Sequence, residues 1–335
     1  MRRRTFCRLV IGGSVVSAVP ARATVPDFRV WAETYLRQGR VIDWQQNGIS
    51  HSEGQGWGLL LAQAAGDQVA FEQIEAWTAA NLSLRQDRLM AWSRRSEDGL
   101  IDWNNATDGD LFRAWALLRA GRDSGWSGYI DTALAIARDI AVLCLAPDPR
   151  APAEPLLLPG AEARREAARV LVNPSYIMPR ALRELGEAAG EPRLIRAADH
   201  GETLLTELAA ADRLWNWVDV TEWGFVEPIE HRAGWGYDAI RIPLYLGWSD
   251  RRANPAHSMG LQLLEDALTP GHVVVQRDPR GHPVSESNHP GFLSLVSSAR
   301  CQPLPGGRSS RSSYYPDTLK LLAETALREG GCGHG

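Results

Sequence analysis

Residues 49–63 read ISHSEGQGWGLLLAQ, and the reading of Glu53 within them decides how the rest of the chain is understood. One carboxylate stands among Gly54, Gly56 and Gly58, directly ahead of an apolar run that has the look of a helix. Ser52 is a candidate N-cap, and the glycines would let another chain or a ligand come close. On that reading Glu53 is a first-turn acid favoured by the helix dipole. The dipole lowers a carboxyl pKa, so a proton donor here needs burial or a second carboxylate beside it. Taken alone, the stretch leaves both readings open, a helix start or a reacting acid.

Working outward, helical patterning dominates. Apolar residues recur every three to four positions in 28–38, 54–65, 68–82, 108–120, 127–145, 177–188, 191–210, 237–246, 253–267 and 316–328. With the weaker pieces 161–171 and 291–299, about twelve segments alternate with Gly-, Pro- and Asp-rich breaks. HVVVQRD (272–278) reads as a strand, half of a small hairpin, and the proline-rich APDPRAPAEPLLLPG (146–160) as a loop. Similar helices continue on both sides of that loop, so it does not divide the chain into domains. No short repeat is visible, which disfavours a regular solenoid and favours a closed arrangement of helix pairs.

The 335 residues carry a formal net charge of −4, with no long basic run beyond the N-terminus, so polyanion or nucleic-acid binding is not expected. MRRRTFCRLVIGGSVVSAVPARA (1–23) has an arginine-rich start, a short apolar stretch and a small-residue cleavage site, which reads as a signal peptide. Arg3-Arg4-Thr5-Phe6 resembles a twin-arginine export signal, and the apolar stretch is too short to remain as a membrane span. The expectation is an exported protein, periplasmic or secreted, whose residues 24–335 form one domain. Cys144, Cys301 and Cys332 permit at most one internal disulfide, match no zinc spacing, and leave the fold to be held by its core.

Thirteen tryptophans are far more than a chain of this length normally holds. Trp77 and Trp115 fall in helical patterns and read as core. Trp44, Trp57, Trp92, Trp103, Trp215, Trp217, Trp223 and Trp235 stand near polar or acidic residues or glycines and suit a cleft where flat rings meet sugar faces. Two further carboxylate stretches supply Glu53 with candidate partners. IDWNNATDGDLFRAWALLRAG (101–121) sets Asp108 and Asp110 around Gly109 at a helix start, with Thr107 or Asp108 as the expected cap. Its Asp-Gly-Asp lacks the remaining ligands of a calcium loop. HRAGWGYDAIRIPLYLGW (231–248) places Asp238 three residues before Arg241, either a helical ion pair or a carboxylate poised at a cleft. Pairs of differently tuned carboxylates are the chemistry of glycoside hydrolysis.

Together SEGQGWG (52–58), ATDGDL (106–111), VNPSY (172–176) and YDAIRIPLY (237–245) resemble glycoside hydrolase family 8, over essentially the whole mature chain. Within that family the chain looks most like periplasmic endoglucanases that accompany bacterial cellulose synthesis. The resemblance implies an all-α (α/α)6 barrel of six helical hairpins, with a small β-hairpin or extended loops at the cleft. It also implies inverting hydrolysis of β-1,4-glucan without metal or organic cofactor. By motif, Glu53 takes the general acid position and Asp238 the general base; Asp108 and Tyr176 bind sugar and water, and Arg241 stands beside the base. Trp92 and Trp103 are the expected sugar-contacting aromatics, and Asp110 is either structural or a support. Glu53 should stay protonated near neutral pH, with Asp108 the first candidate to raise its pKa, while Arg241 and solvent keep Asp238 ionised.

The implied partner is a β-1,4-linked polysaccharide, with a functional association with the cellulose synthase machinery. Xylan, mixed-linkage glucan or chitosan on the same fold, and a non-hydrolytic glucan-binding protein, are the competing readings.

Overall fold

A computed structural model describes residues 26–95, 99, 101–306, 313–330 and 332; the expected signal segment 1–23 lies outside the described residues. Among them the chain is mostly helical. In order come α1 (Pro26–Tyr35), α2 (Ser52–Ala65), α3 (Gln68–Asn81), α4 (Thr107–Arg122), α5 (Ile130–Leu143) and α6 (Pro179–Ala189). They are followed by α7 (Pro192–Ala210), α8 (Ile242–Trp248), α9 (Pro255–Glu265), α10 (Pro290–Ala299) and α11 (Tyr314–Glu329).

Burial sorts these helices. In α2 every residue except Glu53 is buried, and α4 is buried from Thr107 through Ala120, as expected for helices with neighbours on all sides. α5, α7 and α9 instead bury one stripe and expose the other. The inner helices touch in sequence: α2 packs on α4, α4 on α6, α6 on α8, α8 on α10, α10 on α11, and α11 returns to α2. Trp31, Trp57, Trp115 and Trp248 are fully buried within this arrangement, whereas Trp77 is only partly buried.

Local chemistry sets the helix ends. Gly66, in the left-handed region at φ 74°, terminates α2, and the Asp67 side chain then caps α3 by accepting from Ala70 N at 2.9 Å. α11 is fastened to the start of the chain, with Tyr35 Oη donating to Asp317 Oδ2 at 2.6 Å and Trp31 Nε1 to Thr318 at 2.9 Å. Glu329 near the end of α11 accepts from Arg119 of α4 at 2.8 Å and from the Trp248 indole of α8 at 3.0 Å. Among the described residues Cys301 and Cys332 form a disulfide, and Cys144 is a buried free thiol.

Five small sheets sit among the helix connections. A three-stranded sheet (Ser50–His51, Ser93–Arg94, Ile101–Asp102) clamps the chain ahead of α2 and α4. Through it Ser52 N donates to Trp92 O at 2.7 Å and Trp92 N to Asn104 O at 2.6 Å, which fixes Trp92 at the mouth of both helices. A four-stranded antiparallel sheet pairs Arg169–Val172 with Val218–Thr221 and delivers the Pro174–Tyr176 turn and Trp217 to the same region.

Several expectations change. The proline-rich 146–160 is a hairpin, not a loop: Leu145–Asp148 pairs with Ala151–Leu157, and Pro147 stands opposite Pro155 at this two-stranded edge. The piece 161–171 is a turn leading into strands Arg165–Glu166 and Arg169–Val172, whereas 291–299 is the helix α10. In 237–246 the α-helix begins only at Ile242; Asp238 precedes a 3-10 turn, Ala239–Arg241. The expected strand at 272–278 is present as Val273–Arg277, paired with Pro283–Ser287. Among the described residues no helix is long and apolar enough to cross a membrane.

Candidate active site

A cleft of about 530 Å³ opens where α2 and α4 begin, lined by Glu53, Asp108, Tyr176, Trp92, Trp217 and Asp238 among others. Glycines bring its two central carboxylates together. A Cβ on Gly109 would lie 2.5 Å from Ser52 Oγ and 2.7 Å from Glu53 N, and one on Gly56 would lie 2.8 Å from Gly109 O. The starts of α2 and α4 therefore cross backbone to backbone, with Glu53 beside Asp108. Gly54 faces Tyr314 and His51, and Gly58 faces Val41, so the glycines expected to make room for a ligand instead make room for neighbouring protein.

The expected caps also differ. His51, not Ser52, caps α2, its Nδ1 accepting from Gly54 N at 3.0 Å. α4 starts after Ala106 with no side-chain cap, so neither Thr107 nor Asp108 serves; Asp108 Oδ1 accepts from Gly109 N at 2.8 Å. Asp110 is fully buried and structural, accepting from Met90 N at 2.7 Å and Asn105 Nδ2 at 2.9 Å. It thereby supports the backbone that carries Trp92.

Arg241 organises the carboxylates from below. It is 1% exposed and does not line the cleft, so it meets the carboxylates from beneath rather than from the cleft side. One guanidinium nitrogen, Nη1, donates to Glu53 and lies 3.7 Å from Asp108. The other, Nη2, donates to Asp238 Oδ1 at 3.0 Å and to Ser175 Oγ at 2.9 Å. The guanidinium also sits 5.3 Å from the centroid of the buried Trp57 ring.

The proton inventory departs from expectation. Burial presses the Glu53 pKa upward, but the charge of Arg241, that of His51 whenever its ring is protonated, and hydrogen bonds with Asp108 and Arg241 outweigh it and hold the group below the usual range. Asp108 moves the other way: burial, the Glu53 charge and its bond with Glu53 raise it well above the ordinary carboxylate value. The two carboxyls lie side by side and are shifted in opposite directions, Glu53 down and Asp108 up, so they titrate as a pair. Asp238 is raised by burial and the Glu53 charge, against the pull of Arg241, Asn173 and Trp217, rather than depressed as expected. Tyr176 is raised well above its normal value by burial and the surrounding carboxylates, so its hydroxyl keeps its proton.

Of the expected site residues, Glu53, Asp108, Tyr176, Asp238 and Trp92 share the cleft; Trp92 is 39% exposed there. Trp103 is exposed but stands outside the lining, with Asp102 and Asn104 on either side of it facing in. The indole–imidazole stack of Trp217 on His231, with centroids 3.9 Å apart, was not foreseen, nor were the roles of His51 and Ser175. VNPSY carried the signal for Ser175, whereas His51 and His231 gave none beyond adjacency to Glu53 and to the 231–248 stretch.

Comparison with known proteins places this geometry. The description "Glycosyl hydrolases family 8" matches residues 7–289. A protein named "Probable endoglucanase" from Novacetimonas hansenii is 34% identical, covering 95% of this chain and 96% of that one. An endoglucanase from Cellulomonas uda is 30% identical across 71% of this chain and 69% of its own. Among solved structures, endo-β-1,4-glucanase CMCax from Acetobacter xylinum superimposes with a TM-score of 0.79 at 28% identity, covering 92% of this chain and 99% of that one.

Proposed function

The chain belongs to glycosyl hydrolases family 8 and is an endo-β-1,4-glucanase, and we propose that it hydrolyses cellulose or soluble β-1,4-glucan with inversion. Glu53 is the general acid in this reading, Asp238 the general base, and Asp108 and Tyr176 hold the sugar and the attacking water. The observation that carries the assignment is the single buried guanidinium of Arg241, which touches Glu53, Asp108 and Asp238 at the floor of one cleft.

In this reading the Glu53–Asp108 pair shares one proton. Asp108 stores it beside Glu53; it passes to Glu53 and then to the departing glycosidic oxygen as the bond to the anomeric carbon breaks. Asp238, held by Arg241, takes a proton from the water that attacks the opposite face. Solvent then returns a proton to the acid pair and removes one from Asp238. Tyr176 stays neutral and offers its hydroxyl as a donor.

The closed ring of inner helices supports reading the fold as an (α/α)6 barrel, with α1, α3, α5, α7 and α9 outside it. The Cys301–Cys332 bridge and the basic-apolar N-terminus support export to the periplasm or beyond, since such bridges persist in oxidising compartments. A role beside cellulose synthesis rests on the sequence resemblance. Two acids of the cleft rim are neutralised, Glu162 by Arg85 at 2.7 Å and Glu230 by Arg164 at 2.8 Å, which favours an uncharged glucan over cationic chitosan.

The test is hydrolysis of a panel of β-1,4-glucan, mixed-linkage glucan, xylan and chitosan by the wild type and by Glu53→Gln. β-1,4-Glucan should be cleaved to products that first form as α-anomers in proton NMR, and Glu53→Gln should bind cello-oligosaccharides while turning over about a thousandfold more slowly. Inactivity on β-1,4-glucan, or first-formed β-anomers, overturns the reading.

A further inference from the structure

His51 stands two residues before Glu53, is 7% exposed, and lines the cleft. Its Nδ1 accepts a hydrogen bond from Gly54 N at 3.0 Å, which makes it the cap of α2. A ring nitrogen accepts only while it carries a lone pair, so the capping imidazole is neutral with its proton on Nε2. An imidazolium has N–H at both positions and cannot cap. The ring is also confined: it packs edge-on to Tyr314 of α11 with centroids 5.8 Å apart, and a Cβ on Gly54 would come within 3.3 Å of its Cε1. Gly54 is thus the residue that lets the ring sit over the first turn.

We propose that His51 is a positioning residue for the Glu53 acid, holding the first turn of α2 in place as the neutral Nε2–H tautomer and releasing it when protonated. This rests on the assignment of Glu53 as the acid. Protonation has two effects of the same sign. It removes the cap that fixes the backbone bearing Glu53, and it sets a positive charge beside Glu53, which weakens that carboxyl's hold on the proton it must donate. The titratable and charged groups facing the ring are Glu53 on α2 and Tyr314 on α11, with Asp108 and Arg241 beyond Glu53, while the adjoining strand places uncharged Ser93 opposite His51. Tyr314 is pushed well above its usual pKa by burial and stays neutral, so it does not compensate the new charge.

The experiment pairs two variants with a direct view of the ring. Nitrogen-15 NMR of the wild type at neutral pH should show His51 protonated at Nε2 alone. His51→Asn keeps a capping oxygen without a titrating ring, so its kcat at neutral pH should remain within about twofold of wild type. Its acidic limb should move to lower pH. His51→Ala should lose about tenfold in kcat with KM within about twofold. A proton on Nδ1, a His51→Asn variant as slow as His51→Ala, or an unmoved acidic limb would overturn the proposal. Because the tautomer is read without substrate, failure of the Glu53 assignment, seen as turnover surviving in Glu53→Gln, is distinguishable from failure of the His51 role.

Discussion

A Cβ on Gly109 would sit 2.7 Å from the backbone nitrogen of Glu53, so these two residues can be neighbours only while position 109 has no side chain. That contact is with backbone, which cannot swing aside as a flexible side chain would. Gly109→Ala should therefore part the starts of α2 and α4. A loss of about 1–3 kcal/mol in stability is expected, with a fall in kcat larger than the change in KM. Thermal unfolding and steady-state kinetics on a soluble β-1,4-glucan would check it.

Arg241→Met removes the cation shared by the carboxylates. Arg241 lowers the pKa of Glu53, Asp108 and Asp238, so without it all three bind protons more tightly. Asp238 must be ionised to act as base, and the acidic limb of the kcat profile should consequently shift to higher pH. Peak kcat should fall about a hundredfold or more, since the pair is left buried and unguided. A pH–rate series on the purified variant reads both.

Asp110 gives a prediction for stability alone. Burial raises its pKa to about 7 in the folded protein, against an ordinary value near 3.8. Between those two values the folded chain holds a proton that the unfolded chain has released. Its contribution is therefore fully present below about pH 4 and is lost as pH rises to about 7. Asp110→Asn keeps the shape and cannot titrate, so its stability curve should be flatter across that window, as urea titrations at a series of pH values would show.

The Cys301–Cys332 bridge spans 31 residues, and in the chain-entropy treatment a loop of that size stabilises by about 3–4 kcal/mol. Replacing both cysteines by serine should lower the melting temperature while leaving kcat near wild type, because neither cysteine lines the cleft. Calorimetry alongside activity measured well below the transition separates the two effects.

Much of this was legible beforehand for physical reasons. Inner and outer helices leave a 3.6-residue apolar period whatever they pack against, so eleven of the twelve segments overlap a helix and only 161–171 does not. Asp238 and Arg241 were misplaced into a helix because their i,i+3 spacing fits a 3-10 turn equally well. The 146–160 hairpin was hidden by prolines, which penalise a central strand but not a two-stranded edge. At the site, the carboxylates announced themselves through motif, but the purpose of the glycines did not. Glycine marks close approach without saying by what, and here it is helix against helix. The opposite shifts of Glu53 and Asp108 could not be read either, since they depend on Arg241 reaching Glu53 across 188 positions of sequence.

The Tyr35–Asp317 bond joins residues 282 positions apart, and Gln45 at the other end of the same connection bonds the backbone of Tyr314. The last helix is thus the fastening of the first. During synthesis, α1 and α2 wait for α11 until nearly all the chain has been made. The first turn bearing Glu53 lacks its Tyr314 wall for the whole of that interval. The cleft is therefore completed only when α11 arrives, so a partly synthesised chain is a latent enzyme.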